Sequence, residues 1–172
     1  APEMIWVKAY SEDGRHWRVF VNTPTNTQLG ALPSDATDYL RLNTNTSTTD
    51  DDNYWNDTVP TTSVFSVGDA NDVNDTGCEF IAWCWHSVQG YSRIGGYRGN
   101  GNADGPFVHT GFRPSWVMLK QTSNAGDWYI YDCKRDGQNK DNDNLRANYG
   151  NAENTDDIVD IYSNGFKIQS TN

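Results

Sequence analysis

Pro2-Glu3-Met4-Ile5-Trp6-Val7-Lys8 and Pro114-Ser115-Trp116-Val117-Met118-Leu119-Lys120 are one pattern occurring twice in a chain of 172 residues. Each copy passes through a polar turn into a second aromatic stretch, Trp17-Arg18-Val19-Phe20 in one and Trp128-Tyr129-Ile130-Tyr131 in the other. The echo continues with Tyr39-Leu40-Arg41-Leu42-Asn43 against Asn144-Leu145-Arg146-Ala147-Asn148, then Val64-Phe65-Ser66-Val67 against Gly165-Phe166-Lys167-Ile168. The offset between matched positions falls from 112 to 101 residues, so the copies differ by loop trimming. Beyond Phe65 the first copy runs on to Glu79-Phe80-Ile81-Ala82-Trp83-Cys84-Trp85, and nothing after Phe166 matches that stretch. The expectation is two related modules, 1–90 and 91–172, the first without its opening strand and the second without its closing strand. Duplication of this kind serves architecture and surface presentation more often than a single catalytic pocket.

Strand signals dominate. Met4–Lys8, Trp17–Val21, Tyr39–Leu42, Ser63–Val67 and Glu79–His86 are short, β-branched or aromatic, and bounded by turn residues. The same holds for Tyr91–Tyr97, Pro106–His109, Trp116–Lys120, Trp128–Tyr131, Asn144–Ala147, Ile158–Ile161 and Gly165–Ile168. Asp13-Gly14, Asn100-Gly101, Asp104-Gly105, Asp136-Gly137 and Asn164-Gly165 supply turns, because both residue types tolerate positive φ. No stretch keeps a 3.6-residue apolar period for three turns, and one short helix fits around Leu29–Asp38. The pattern predicts an all-β protein, an antiparallel β-sandwich of jelly-roll or concanavalin-like type. In Glu79–His86 both alternating faces are apolar, which predicts a central strand covered twice. Its missing counterpart would leave backbone unpaired, to be satisfied by continuing polypeptide or by a neighbouring subunit.

The net charge of −10 comes from nineteen Asp and four Glu, so the acidity lies in loops rather than helices. Scattered cations on an acidic chain argue against nucleic-acid binding, which needs a basic face. No apolar run approaches the roughly 20 residues that cross a bilayer as a helix. Cys78 and Cys84 lie along one extended run, too far apart to pair with each other, while Cys133 could pair with either. Three reduced thiols in or near the core is the simpler reading.

One block is distinctive: Gly90-Tyr91-Ser92, then Gly96-Tyr97-Arg98-Gly99-Asn100-Gly101, then Asp104-Gly105-Pro106-Phe107-Val108-His109-Thr110-Gly111-Phe112-Arg113-Pro114. Together with Trp116-Val117-Met118, Asp127-Trp128-Tyr129-Ile130-Tyr131-Asp132 and Tyr54-Trp55-Asn56-Asp57-Thr58, it resembles modules repeated in structural proteins of marine bacteriophages, which are tail-fibre-like or concanavalin A/laminin-G-like β-sandwiches. The resemblance implies a non-enzymatic component of a virion tail or surface appendage. Its implied partners are copies of itself, other virion subunits and host cell-surface polysaccharide. Its implied location is the virion surface or another extracellular site. An extracellular filament or adhesin subunit that assembles by strand exchange is the alternative.

Candidate chemistry is sparse. A hydrolase on such a sandwich would place paired carboxylates roughly 5–9 Å apart on one strand. None of Glu3, Glu12, Glu79 and Glu153 has an acidic neighbour two or four residues away along a strand. Cys84 and His86 share a strand face and invite a dyad, but Trp83 and Trp85 flank them and favour a packing role. Gly95–Gly101 lacks the lysine and the following helix of a phosphate loop. Tyr10, Tyr54 and Trp55, in or near polar loops, are the candidates for stacking on sugar faces, with plugging of the sandwich ends as the competing role. Asp136, Asp141 and Asp143 offer hard oxygens for calcium, as do Asp50-Asp51-Asp52 and Asp69, Asp72 and Asp75. Ordinary solvated loops account for the same residues. A bound calcium ion would raise the melting temperature, and a chelator would reverse the rise.

Overall fold

The computed structural model describes residues 1–22, 36–136 and 141–170. The protein is all-β and sandwich-like, built on two antiparallel sheets. The first contains β1 (Met4–Ala9), β2 (Arg18–Val21), β3 (Asp38–Arg41), β4 (Thr49–Asp50) and, after two helical turns, β5 (Phe80–Trp85). Those turns are α1 (Asp52–Trp55) and α2 (Asn71–Asn74). The second sheet contains β6 (Phe107–His109), β7 (Trp116–Lys120), β8 (Trp128–Asp132), the turn α3 (Cys133–Asp136), β9 (Asp141–Arg146), β10 (Asn154–Tyr162) and β11 (Gly165–Ile168). Strand order is β4-β3-β2-β1-β5 in one and β6-β11-β10-β9-β8-β7 in the other. Three of the four matched sequence pairs occupy matched places: β1-β2-β3 and β7-β8-β9 are successive antiparallel meanders, whereas Val64–Val67 has no strand to set against β11.

Alternation decides the cores. Ile5 and Val7 point to one side of β1 and join Phe20, Tyr39, Trp55 and Val73 in the first core. Trp55 reaches it from α1 and meets Phe20 edge-on at 5.4 Å between ring centres. Asp51 caps α1 by accepting from the Asn53 amide at 3.1 Å, and Asn56 ends it in the left-handed region at φ 53°. The following loop is pinned back onto the turn, with the Gly68 amide donating to the Tyr54 carbonyl at 2.9 Å. A Cβ on Gly68 would lie 2.1 Å from the Asn53 carbonyl oxygen, so the approach demands glycine.

A second core gathers Val108, Val117, Tyr131, Val159, Ile161 and Phe166 on one face of the other sheet. The opposite faces of the two sheets meet in a third cluster, where Trp128 and Met118 pack against Val19, Leu40, Met4 and Trp6. Trp128 Nε1 donates to the Arg41 carbonyl at 2.9 Å, and Gly126 N–H donates to the Asn45 carbonyl at 2.8 Å.

Several expectations need correction. Glu79–His86 is not a central strand: β5 pairs with β1 alone among the described residues and closes the sheet as an edge. Both its faces are apolar for a different reason. Phe80 packs on the first core, while Trp85 lies tilted against Trp6 at 4.6 Å and Trp83 stacks on Trp17 at 5.2 Å. Ser63–Val67 forms no strand, because Thr61 Oγ1 takes the amides of Ser63 and Val64 into a local turn. Phe65 and Val67 still pack on the first core. Tyr91–Tyr97 is likewise irregular, entered through a tight Val88–Ser92 bridge in which Gly90 has φ 77°. All of the helix expected around Leu29–Asp38 up to residue 35 falls outside the described residues. The three cysteines are free thiols; Cys84 is exposed, and Cys78 and Cys133 are half-buried.

Candidate functional site

Four of the seven tryptophans end up on one side of the first sheet. Trp6 comes from β1, Trp83 and Trp85 from β5, and Trp17 from the approach to β2. The cross-strand register explains the grouping, since Trp6 sits opposite Trp83 and Met4 opposite Trp85. Where this aromatic surface runs towards β7 it borders a cleft of about 830 Å³. Met4, Trp6 and Trp85 form one wall, and Trp116 and Met118 of β7 form another. Tyr91, largely exposed, and Ile94 of the irregular segment also line it. Tyr97, 40 % exposed, stands edge-on over Phe166 at 6.3 Å, and partial desolvation raises its phenol pKa.

Asp38, Arg93, Arg113 and Lys120 are the charged residues that line the cleft. Arg93 and Arg113 reach it from exposed positions. Lys120 is tied down, its Nζ donating to the carbonyls of Gln121 at 2.7 Å and Gly126 at 2.9 Å. Burial lowers the Lys120 pKa, and the neighbouring Asp127 carboxylate only partly opposes that shift. An apolar site of this size with a few polar groups in its lining suits an extended or planar ligand.

The candidates drawn from sequence fare unevenly. Trp55 is 1 % exposed, a core residue whose ring no sugar can reach, which corrects the stacking expectation there. Tyr54 is half-buried, packed on Tyr39 at 4.1 Å and on the Arg18 guanidinium at 4.3 Å. Only Tyr10 of the three is open, and a hydrogen bond with Glu79, with burial second, raises its phenol pKa.

The acidic loops are largely occupied. Asp72 pairs with the buried Arg18, and its other oxygen accepts from the His16 amide at 3.2 Å. Asp75 pairs with Arg15. Glu12, Asp75 and Cys78 converge within 4.8 Å, but Arg15 bonds both carboxylates there. The Cys78 thiol donates to Glu12 at 2.9 Å, which holds its pKa up at about 11. Of the Asp136, Asp141 and Asp143 set, the side chains of Asp136 and Asp141 lie outside the described residues, and the Asp143 carbonyl accepts from Arg135 at 3.1 Å. His86 turns its Nδ1 to the Ser87 carbonyl at 2.9 Å and makes no bond with Cys84. Sequence reasoning missed the tryptophan surface itself. Its signal was present in the shared face of Trp83 and Trp85 and in the matched positions Met4 and Trp116.

The profile of one protein family aligns with residues 1–172, the whole chain. The chain belongs to the family described as a domain of unknown function, DUF7483. No curated protein and no solved structure matches it. Membership in DUF7483 therefore supplies a lineage without an activity, and function has to be read from the cleft and the strands around it.

Proposed function

We propose that this domain is a non-catalytic structural and adhesive module of an extracellular particle, a phage tail-fibre or surface-appendage component. The observation that carries the reading is the cleft of about 830 Å³ walled by Trp6, Trp85 and Trp116, a surface made for holding another molecule. Its aromatic faces and exposed arginines could take a host-surface polysaccharide, and Tyr10 provides a separate exposed ring. The resemblance of the 90–114 block to repeated virion modules supports the location, and the twice-built meander supports a role in projecting a repeated surface.

Immunogold labelling of assembled phage particles, combined with capture of labelled host polysaccharides, tests the reading. Label on the tail or surface and loss of polysaccharide capture in Trp116→Ala are the expected outcomes. Label confined to infected-cell lysate, absent from purified particles, would remove the virion assignment. The second reading, an extracellular filament or adhesin subunit assembling by strand exchange, is favoured by the unpaired outer edges of β5 and β7 among the described residues.

A further inference from the structure

We infer that the outer edge of β7 accepts one extended strand with the side-chain pattern of β5. The inference rests on reading the chain as an association module and is independent of where that module resides.

The first sheet shows the joint already made. β5 lies antiparallel on β1 with Met4 opposite Trp85, Trp6 opposite Trp83 and Lys8 opposite Ile81. The Tyr10 amide donates to the Glu79 carbonyl at 3.0 Å, so the alternate residues Lys8, Trp6 and Met4 turn their main-chain groups towards β5. β7 is the counterpart of β1 by sequence and by its pairing with the next strand of the meander. Here the Cys133 amide donates to the Ser115 carbonyl at 3.0 Å, so Ser115, Val117 and Leu119 face β8. Trp116, Met118 and Lys120 then turn theirs to the other side, where no strand lies among the described residues. A row of unpaired amides and carbonyls on a strand bordered by apolar side chains is a template for pairing.

The cleft lies along this edge, since β7 lines it with Trp116 and Met118 from one face and Val117 from the other. That geometry identifies the occupant. The joint between β1 and β5 predicts large apolar groups opposite Trp116 and Met118, entering the space beside Met4, Trp6 and Trp85. It predicts small groups, like Ala82 and Cys84, opposite Leu119 and Val117. The cleft of about 830 Å³ beside this edge is lined by Met4, Trp6 and Trp85, which offers space for the large side chains of one added strand.

The test titrates the intact protein with a peptide carrying residues 79–87, with Cys84→Ser and lysines added at both ends for solubility. Two derivatives of that peptide are N-methylated, one at the positions of Ile81, Trp83 and Trp85, the other at the two positions between them. The expected result is a 1:1 complex by native mass spectrometry with the parent and the second derivative, and at least tenfold weaker binding of the first. Deuterium exchange at the Trp116, Met118 and Lys120 amides should slow by about tenfold or more in the complex. Equal binding of both derivatives or of a scrambled peptide would mean apolar adhesion and overturn the inference. So would protection at β5 in place of β7, protection of β7 by self-association without peptide, or no complex at all. None of these results bears on the particle-labelling experiment, so the two readings fail separately.

Discussion

Replacing Asp72 with alanine should destabilise the fold by about 3–5 kcal/mol, the range for removing one partner of a buried ion pair. Arg18 is 2 % exposed, and its guanidinium lies over the packed rings of Tyr39 and Tyr54, at 4.4 and 4.3 Å from their centres. Asp72 takes Nε at 2.8 Å and also Nη2, while the same carboxylate accepts from the His16 amide. Nη1 has no hydrogen-bond partner, and among the described residues Asp72 is the one carboxylate paired with the group. Removing it strands a buried cation over two tyrosine rings, frees the His16 amide and loosens α2, whose Val73 belongs to the first core. Against a total stability of about 5–15 kcal/mol the loss would bring a typical domain near unfolding. Urea denaturation followed by tryptophan fluorescence measures it. The double variant Arg18→Met with Asp72→Leu should recover most of the loss, because an apolar pair needs no compensation. A loss below about 1 kcal/mol in Asp72→Ala would refute the reasoning and return Asp72 to the solvated loop that its spacing with Asp69 and Asp75 suggested.

Gly68→Ala should cost about 1–3 kcal/mol in the same urea experiment, since the new methyl meets the Asn53 carbonyl and the loop must shift. Trp128→Phe removes the donor to the Arg41 carbonyl between the two sheets and should cost about 1–3 kcal/mol, lowering the melting temperature measured by circular dichroism. Glu12→Gln should speed alkylation of Cys78 at pH 8, read by mass spectrometry of the labelled peptide. Lowering the thiol pKa from about 11 towards the ordinary 9.0 raises the thiolate fraction by up to about a hundredfold, and the weaker nucleophilicity of the more acidic thiolate trims the gain to about tenfold. An unchanged rate would show that Glu12 does not hold that proton.

Strand positions were legible because alternation is a local property. Met4–Lys8, Trp116–Lys120 and Trp128–Tyr131 carry their faces in their own residues, and the structure places β1, β7 and β8 there. The failures share a cause. Ser63–Val67 has strand composition, but a threonine two residues earlier captures its amides. Tyr91–Tyr97 has the aromatics of a strand, yet its glycines and the Ser92 hydroxyl, bonded to the His86 carbonyl at 2.9 Å, hold a turn. In both segments a side-chain–backbone hydrogen bond outcompeted propensity, and such bonds depend on rotamers that composition does not report. Trp55 misled for a related reason. It sits among Asp51, Asp52, Asn56 and Asp57, which signal a solvated loop, but those residues cap a single helical turn that drives the ring inward.

The strand that sequence misplaced, β5, bears most on function. Apolar residues on both faces of Phe80–Trp85 report that both faces are covered, and both are partly so: Phe80 by the first core, Trp83 and Trp85 by neighbouring tryptophans. They say nothing about what lies beside the strand, because its flanks are main-chain groups shared by every sequence. The side-chain signal for an edge is protective: a lysine, a proline, an inward charge. Phe80–Trp85 contains none of these, and Ile81 and Trp83 remain 41 % and 37 % exposed. β7 has Lys120, but its amine is committed to the carbonyls of Gln121 and Gly126 and does not guard the flank. An acidic, loop-rich chain has ample charge with which to blunt two edges. Leaving both apolar is unfavourable for a free domain and favourable for one whose edges are meant to be joined, which is why the adhesive reading follows from these strands more directly than from any residue in the acidic loops.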